Sequence, residues 1–327
     1  MIVDTAKAPR DEADNGGVII YLSEAGGLTQ FGAYIDVLMP GAVSSDRHWH
    51  TAEDEFVYVL DGSLTLHDDD GIQDLAPGDA ACWPHGCPNA HHLTNRTDTP
   101  CRYVIAGSRV AGDVCHYPDS GTRQVNGATR WQVLDAAGAT LREGDLPPAL
   151  VNLPPVWGRR FDPATPGRRV IRQGSVAALT GTDSPGPFDD LGEYQAFPLS
   201  DEGGLTQFGA FTETLMPGAH SSQRHWHETE DEFLYVLDGT VTLIENDGPH
   251  PLRPGDCVCW PAGVANGHRL RNDTDRPVTY LVAGSRLPED TVHYPDIDLH
   301  YTRRNGWRTL SRKDGTPLPG WPKETNR

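Results

Sequence analysis

The chain repeats itself. Gly26-Gly27-Leu28-Thr29-Gln30-Phe31-Gly32-Ala33 recurs letter for letter as Gly203-Gly204-Leu205-Thr206-Gln207-Phe208-Gly209-Ala210, an offset of 177. The offset then holds without a gap through Leu38-Met39-Pro40-Gly41, His48-Trp49-His50, Pro77-Gly78-Asp79, Trp83-Pro84 and Ala106-Gly107-Ser108-Arg109 to His116-Tyr117-Pro118-Asp119, whose counterpart is His293-Tyr294-Pro295-Asp296. Self-similarity at this length means two copies of one structural unit. A chain of 327 residues gives each copy enough length to bury its own core.

Within a copy, short alternating runs are separated by turn signals every eight to twelve residues or so, the pattern of a sandwich or barrel. The expected strands are Gln30 to Met39, Arg47 to His50, Phe56 to Leu60, Ser63 to Leu66, Ile72 to Leu75, Asp79 to Trp83, Ala90 to Asn95 and Cys101 to Ala106. Eight strands per copy predict an all-β jelly roll, made twice. Asp61-Gly62 and Asp238-Gly239 each join two apolar runs and read as hairpin turns, where glycine supplies the positive φ. The contents of 35 Gly and 27 Pro suit such a turn-rich chain. We expect a first barrel with a trailing arm over residues 16–143, a linker rich in Pro, Gly and Arg over 144–187, and a second barrel with its arm over 188–327.

The net charge of −19 would repel nucleic-acid phosphates and anionic membranes, so neither is an expected partner. No basic-then-apolar leader is visible and no apolar run approaches the ~20 residues that span a bilayer, which makes the cytoplasm the expected location. Six cysteines without CxxC spacing read mostly as small apolar fillers.

His48 and His50 sit two apart on an expected strand, so both imidazoles leave the same face; His225 and His227 repeat the arrangement. Glu55 and Glu232 follow five residues after the second histidine. An odd step on a straight strand would send the carboxylate to the opposite face, so a bend is predicted in Thr51-Ala52-Glu53-Asp54 and in Glu228-Thr229-Glu230-Asp231. His91 and His268 supply a third imidazole from later in each copy. Three nitrogens and one carboxylate suit Fe, Mn, Ni, Co, Cu or Zn better than Ca or Mg. Four protein ligands leave two octahedral positions open, and one anionic ligand leaves a divalent ion a net charge of about +1, able to attract an anionic substrate.

These residues carry a family resemblance. Gly41, His48, His50, Glu55 and Gly62, and again Gly218, His225, His227, Glu232 and Gly239, resemble the first cupin motif; Gly78, Pro84, Gly86, His91 and Asn95, and Gly255, Pro261, Gly263, His268 and Asn272, resemble the second. The resemblance implies a bicupin of two tandem double-stranded β-helix barrels, with a metal held by the three histidines and the glutamate of each half. Six residues rather than five separate the first glycine from the histidine pair. Four rather than two separate Gly86 from His91 and Gly263 from His268, which lengthens a loop beside the metal.

Asn89 and Asn266 in that loop are expected to line the substrate pocket, together with Trp83 and Trp260. Glu55 and Glu232 are the expected catalytic residues, as ligands able to move and accept a proton. Trp49, Trp226, Arg47 and Arg224 have the parity of the barrel exterior. The His-Tyr-Pro-Asp segments are expected to be struts closing the barrel edge, and Glu53, Asp54, Glu230 and Asp231 a solvated turn. His85, Cys87 and His92 stand where the second copy has Ala262, Val264 and Arg269, marking a difference between the two rims.

The expected activity is that of a metal-dependent enzyme on a small organic acid or carbonyl compound, foremost an oxygen-using dioxygenase with Fe or Mn. A non-oxidative decarboxylase, lyase or isomerase and a non-enzymatic sensor or storage protein are the alternatives. The His-Trp-His triplet looks like that of bicupin oxalate decarboxylases, but Ser45 and Ser222 stand where those carry a substrate-binding arginine. With two barrels already paired in one chain, a monomer or a homodimer is expected.

Overall fold

The computed structural model describes residues 1–13, 16–181 and 188–324, so the expected end of the linker at residue 187 lies outside the described residues. The two copies fold alike. In the first, Ala80–Trp83, Glu55–Asp61, Cys101–Ser108, Phe31–Leu38 and Val18–Tyr21 lie side by side in one large sheet, and Gly71–Leu75, Leu64–Asp68 and His92–Thr94 form a small sheet opposite. In the second, Cys257–Trp260, Glu232–Asp238, Val278–Ser285, Phe208–Leu215 and Tyr194–Phe197 form the large sheet and Gly248–Leu252, Val241–Glu245 and Arg269–Arg271 the small one. All eight strands expected in the first copy are present, within a residue or two at most ends, and the all-β class stands. No helix among the described residues is long and apolar enough to cross a membrane.

Each large sheet is buried on both faces, which is why Phe56-Val57-Tyr58-Val59 is a continuous apolar run rather than an alternating one. Val57 and Val59 turn inward to Leu64, Leu66, Leu75 and Tyr103 in the first barrel. Phe56 and Tyr58 turn outward into a core shared by both halves, where Phe31 stacks on Phe208 with ring centroids 5.9 Å apart.

The halves also exchange elements. Val170–Ile171 of the linker extends the large sheet of the first barrel by pairing with Ala80 and Ala81, while Ile2–Val3 pairs with Val258 and Cys257 of the second. The short helices Leu22–Gly26 and Leu199–Gly203 each lie against the other barrel. A Cβ added to Gly26 would sit 2.2 Å from Cys259 Sγ, and one added to Gly203 would sit 2.2 Å from Cys82 Sγ. Only glycine permits this approach, and these two cysteines are indeed small fillers.

The expectation of a solvated turn at Glu53-Asp54 and Glu230-Asp231 is overturned. Asp54 is 0% exposed and Asp231 1%. Asp54 accepts the backbone N–H groups of Thr206 (2.7 Å) and Gln207 (2.8 Å) from the other half, and the backbone N–H of His85 from its own, whose ring Nδ1 also meets it at 2.7 Å. Asp231 does the same for Thr29 (2.6 Å), Gln30 (2.9 Å) and Ala262 (2.8 Å). Gln207 and Gln30 complete the clasp, donating to Ala52 O and Thr229 O. Acidic residues in a predicted turn ordinarily point to water; these are buried because the repeated Leu-Thr-Gln loop of the partner barrel presents free N–H groups to them.

Two tests follow from this architecture. Asp54→Asn turns an acceptor into a donor facing other donors, and is expected to lower the free energy of unfolding by roughly 3 kcal/mol in urea melts; a loss below about 1 kcal/mol would mean that the clasp is dispensable. Glu213 is buried, accepts the Tyr280 hydroxyl and has its carboxyl pushed up to about 7 by burial, from a usual 4.5. The folded state therefore holds a proton that the unfolded state releases, and stability falls as pH rises from about 4.5 through 7. Glu213→Gln removes that loss. It should match the parent near pH 4 and exceed it by roughly 3 kcal/mol at pH 8; parallel pH profiles of the two proteins would refute the assignment.

Candidate metal centre

The histidine pair ends a short strand, Trp49–His50, and the chain bends at Thr51 and Ala52 before Glu55 opens the next, Glu55–Asp61. The second copy bends likewise between Trp226–His227 and Glu232–Asp238. The predicted bend restores the parity of the carboxylate: Glu55 now shares a face with Val57 and Val59 and points into the barrel.

Backbone pairing carries the third histidine in. His48 and His91 form a mutual antiparallel bridge, as do His225 and His268. The result is convergence. Glu55 Oε1 lies 3.7 Å from His48 Nε2 and 3.9 Å from His50 Nε2, while Oε2 lies 3.1 Å from His91 Nε2. Glu232 Oε2 lies 3.7 Å from His227 Nε2 and 2.9 Å from His268 Nε2, and the donor atoms of His225, His227 and Glu232 fall within 4.8 Å of one another.

Each imidazole is held by its other nitrogen. His50 Nδ1 meets Asp113 Oδ2 at 2.6 Å and His227 Nδ1 meets Asp290 Oδ2 at 2.7 Å, while His48 and His225 use Nδ1 on the carbonyls of Asp46 and Gln223, both at 2.9 Å. His91 and His268 reach the carbonyls of Asn89 and Asn266 at 3.4 and 3.3 Å. With every Nδ1–H committed to an acceptor, the Nε2 lone pairs are left facing inward, the tautomer a metal needs. Trp83 stacks on His91 with centroids 3.8 Å apart, and Trp260 on His268 at 3.9 Å. Both indoles are core residues that wall the third imidazole.

The electrostatics call for a cation. Burial alone would raise Glu55, but His50 and His91 outweigh it and hold the carboxyl well below its usual range; Glu232 behaves in the same way. Burial pushes His91 down to about 4 and His225 to about 3, so both are neutral donors near pH 7. His227 is drawn the other way: burial disfavours its charge, yet Glu232 and Asp290 raise it to about 9. Without a metal, this imidazole keeps a proton among carboxylates, positive charge that a bound ion would replace. Glu55 Oε2 and Glu232 Oε2 are buried with no hydrogen-bond donor among the described residues. A buried carboxylate oxygen beside three inward-facing ring nitrogens, with one proton for the metal to displace at His227, is the donor set of a transition-metal site, and the residues fit one in both barrels.

Asn89 and Asn266 are placed differently from the expectation. Asn89 Nδ2 donates to Asp70 at 2.8 Å and Asn266 Oδ1 accepts the N–H of Asn246 at 3.1 Å. Their side chains tie the long loop to a neighbouring hairpin turn, while their carbonyls orient the third histidine. His85 is also displaced from the expected rim; it is 2% exposed and bound to Asp54. Trp49 and Trp226 face outward, stacked on His116 and His293. Arg47 clamps Asp69 and Asp119, and Arg224 clamps Asp296 and Asn246.

The His-Tyr-Pro-Asp segments are struts, since His116 pairs with Trp49 and His293 with Trp226 along the barrel edge. The residues just before these segments and the segments' own tyrosines supply what sequence reasoning missed: Asp113 and Asp290, which hold the second histidine, and Tyr117 and Tyr294, whose rings lie 6.0 and 5.9 Å from those of His48 and His225. Strand parity held the signal, because residues at even steps from Asp113 share its inward face.

A family model described as the cupin domain matches residues 34–107 and again 211–284. The chain belongs to the cupin superfamily and carries two tandem cupin barrels. It is 24% identical over 256 residues to quercetin 2,3-dioxygenase of Bacillus subtilis (strain 168), spanning 72% of this chain and 69% of that protein. A cupin-superfamily sugar phosphate isomerase of Silicibacter pomeroyi DSS-3 is 41% identical, covering 45% of this chain and 94% of its own at a TM-score of 0.42. Oxalate decarboxylase of Lactobacillus farciminis in its formate complex superposes over 89% of this chain and 87% of its own, at 17% identity and a TM-score of 0.53.

The carboxylate behind each second histidine can be tested directly. Asp113→Asn should weaken divalent-metal affinity in the first barrel by about 10- to 100-fold, read by competition with a chromophoric chelator. Unchanged affinity would show that Asp113 does not orient His50.

Proposed function

We propose that each barrel holds one divalent transition-metal ion through His48, His50, His91 and Glu55, or His225, His227, His268 and Glu232, and that the chain is an oxygen-dependent dioxygenase acting on a small organic acid or carbonyl compound. The observation that carries this reading is the convergence of three pinned imidazoles on a carboxylate with an orphaned oxygen, in both halves. A bound Fe or Mn would supply a Lewis-acidic, redox-capable centre with open positions for substrate oxygens.

The chain's own residues do the rest. The second-histidine carboxylates Asp113 and Asp290 fix the imidazoles, and Glu55 or Glu232, a ligand in the resting site, would take up a substrate proton on moving away from the ion. Tyr117 and Tyr294 stand beside the first histidine, where a substrate would lie. One anionic ligand per divalent ion leaves positive charge, which favours an anionic substrate within an otherwise acidic protein. The same acidity argues against nucleic-acid and membrane partners and fits a cytoplasmic monomer or homodimer.

The likeness to quercetin 2,3-dioxygenase, which runs through most of both chains, supports oxygen chemistry. The likeness to oxalate decarboxylase is one of fold, and Ser45 and Ser222 occupy the place of the arginine that would hold oxalate. The test is oxygen uptake. Metal-stripped protein reloaded with Fe(II) or Mn(II) should bind two ions and consume oxygen with enolisable or hydroxylated carbonyl substrates, and a His48→Ala/His225→Ala variant should lose both properties. Turnover without oxygen consumption would replace the dioxygenase with a decarboxylase, lyase or isomerase, and no turnover with any metal would leave a binding module.

A further inference from the structure

The two centres are not equivalent, and the difference is a sulfur atom. Along the strut, Asp113-Val114-Cys115-His116-Tyr117-Pro118-Asp119 aligns with Asp290-Thr291-Val292-His293-Tyr294-Pro295-Asp296, so a thiol in the first barrel replaces an isopropyl group in the second. We propose that Cys115 is a further metal donor, giving the first centre a thiolate that the second lacks. This rests on the metal reading above and extends it to a residue outside the three histidines and the glutamate.

Three observations place the sulfur. Cys115 pairs directly with His50 across the strand, so the two side chains share a face. Its neighbour His116 turns the other way, onto the exterior Trp49. Ring nitrogens of His48 and His50 and Cys115 Sγ all lie within 4.8 Å of one another, a donor cluster that shares His48 with the cluster of His48, Glu55 and His91. Cys115 is 6% exposed, and the Glu55 Oε2 of the same cavity has no hydrogen-bond donor. Other cysteines of the chain have packing roles: Cys82 and Cys259 abut the glycines at the join between halves, and Cys101 fills the interior of the first barrel.

Coordination converts the thiol to a thiolate, with its proton released to solvent and no change in oxidation state. Two anionic ligands then bring a divalent ion to about zero net charge in the first barrel, against about +1 in the second. The first centre favours the softer, thiophilic metals, and the second keeps the positive charge that draws an anionic substrate. The barrels divide the work: one selects its metal by sulfur, the other stays open to anions.

Cobalt(II) reports sulfur ligation independently of activity. Titrating metal-stripped protein with cobalt should give ligand-field bands for two bound ions plus a thiolate-to-cobalt charge-transfer band in the near ultraviolet belonging to one of them. Cys115→Val, which installs the residue of the second barrel, should abolish the charge-transfer band while two cobalt ions still bind, with one fewer proton released per chain. Val292→Cys should add a second such band. Two bound cobalt ions without charge transfer, or a band that survives Cys115→Val, would overturn the proposal while leaving the histidine and glutamate sites standing. Failure to bind cobalt at all would overturn both.

Discussion

The reciprocal clasp of Asp54 and Asp231 governs the rest of the molecule. Each carboxylate immediately precedes the glutamate of its own metal centre, and each is saturated by backbone N–H groups that the other barrel supplies. A buried charge is tolerable only when its lone pairs are satisfied, so the two halves must meet in one register for either to fold well. That register sets the path of the chain from the second histidine to the glutamate. Without it the odd spacing would carry the carboxylate away from the imidazoles.

Much of this was legible in the sequence because repetition supplies its own control. The offset of 177 showed which residues recur, and strand parity placed His48 with His50 and demanded a bend before Glu55. The hairpins at Asp61-Gly62 and Asp238-Gly239 follow from local backbone chemistry, with Gly62 and Gly239 at φ of 77° and 80°. What stayed hidden was everything that depends on the other half. Asp54 reads as a solvent-facing turn residue until a loop 152 residues away is seen to bind it. Asn89 looked like a pocket residue because its loop is longer than usual; the extra length instead ties down to Asp70.

The shared histidine and glutamate donors sit in unequal surroundings. Glu230, beside His227 and Asp290, binds Arg303, whose charge opposes the burial that lifts this carboxyl to about 7. Glu53, its counterpart beside His50 and Asp113, is lifted to about 8 by burial and the charge of Asp113. Asn126 stands in the first copy at the offset position of Arg303, so the first centre carries its carboxylates with less compensation. Duplication fixed the three histidines and the glutamate of each half and left their electrostatic environment free to diverge.

The exchanged edge strands bear on how such a chain assembles. Ile2–Val3 seals an edge formed by Val258 and Cys257, and so is synthesised long before its partner exists; Val170–Ile171, by contrast, reaches back to Ala80 and Ala81 soon after they emerge. The first barrel can close its exposed edge during translation. The second must wait for a strand made far earlier in the chain to swing across, a long-range closure of the kind that slows folding and leaves a bare strand open to misassembly in the meantime.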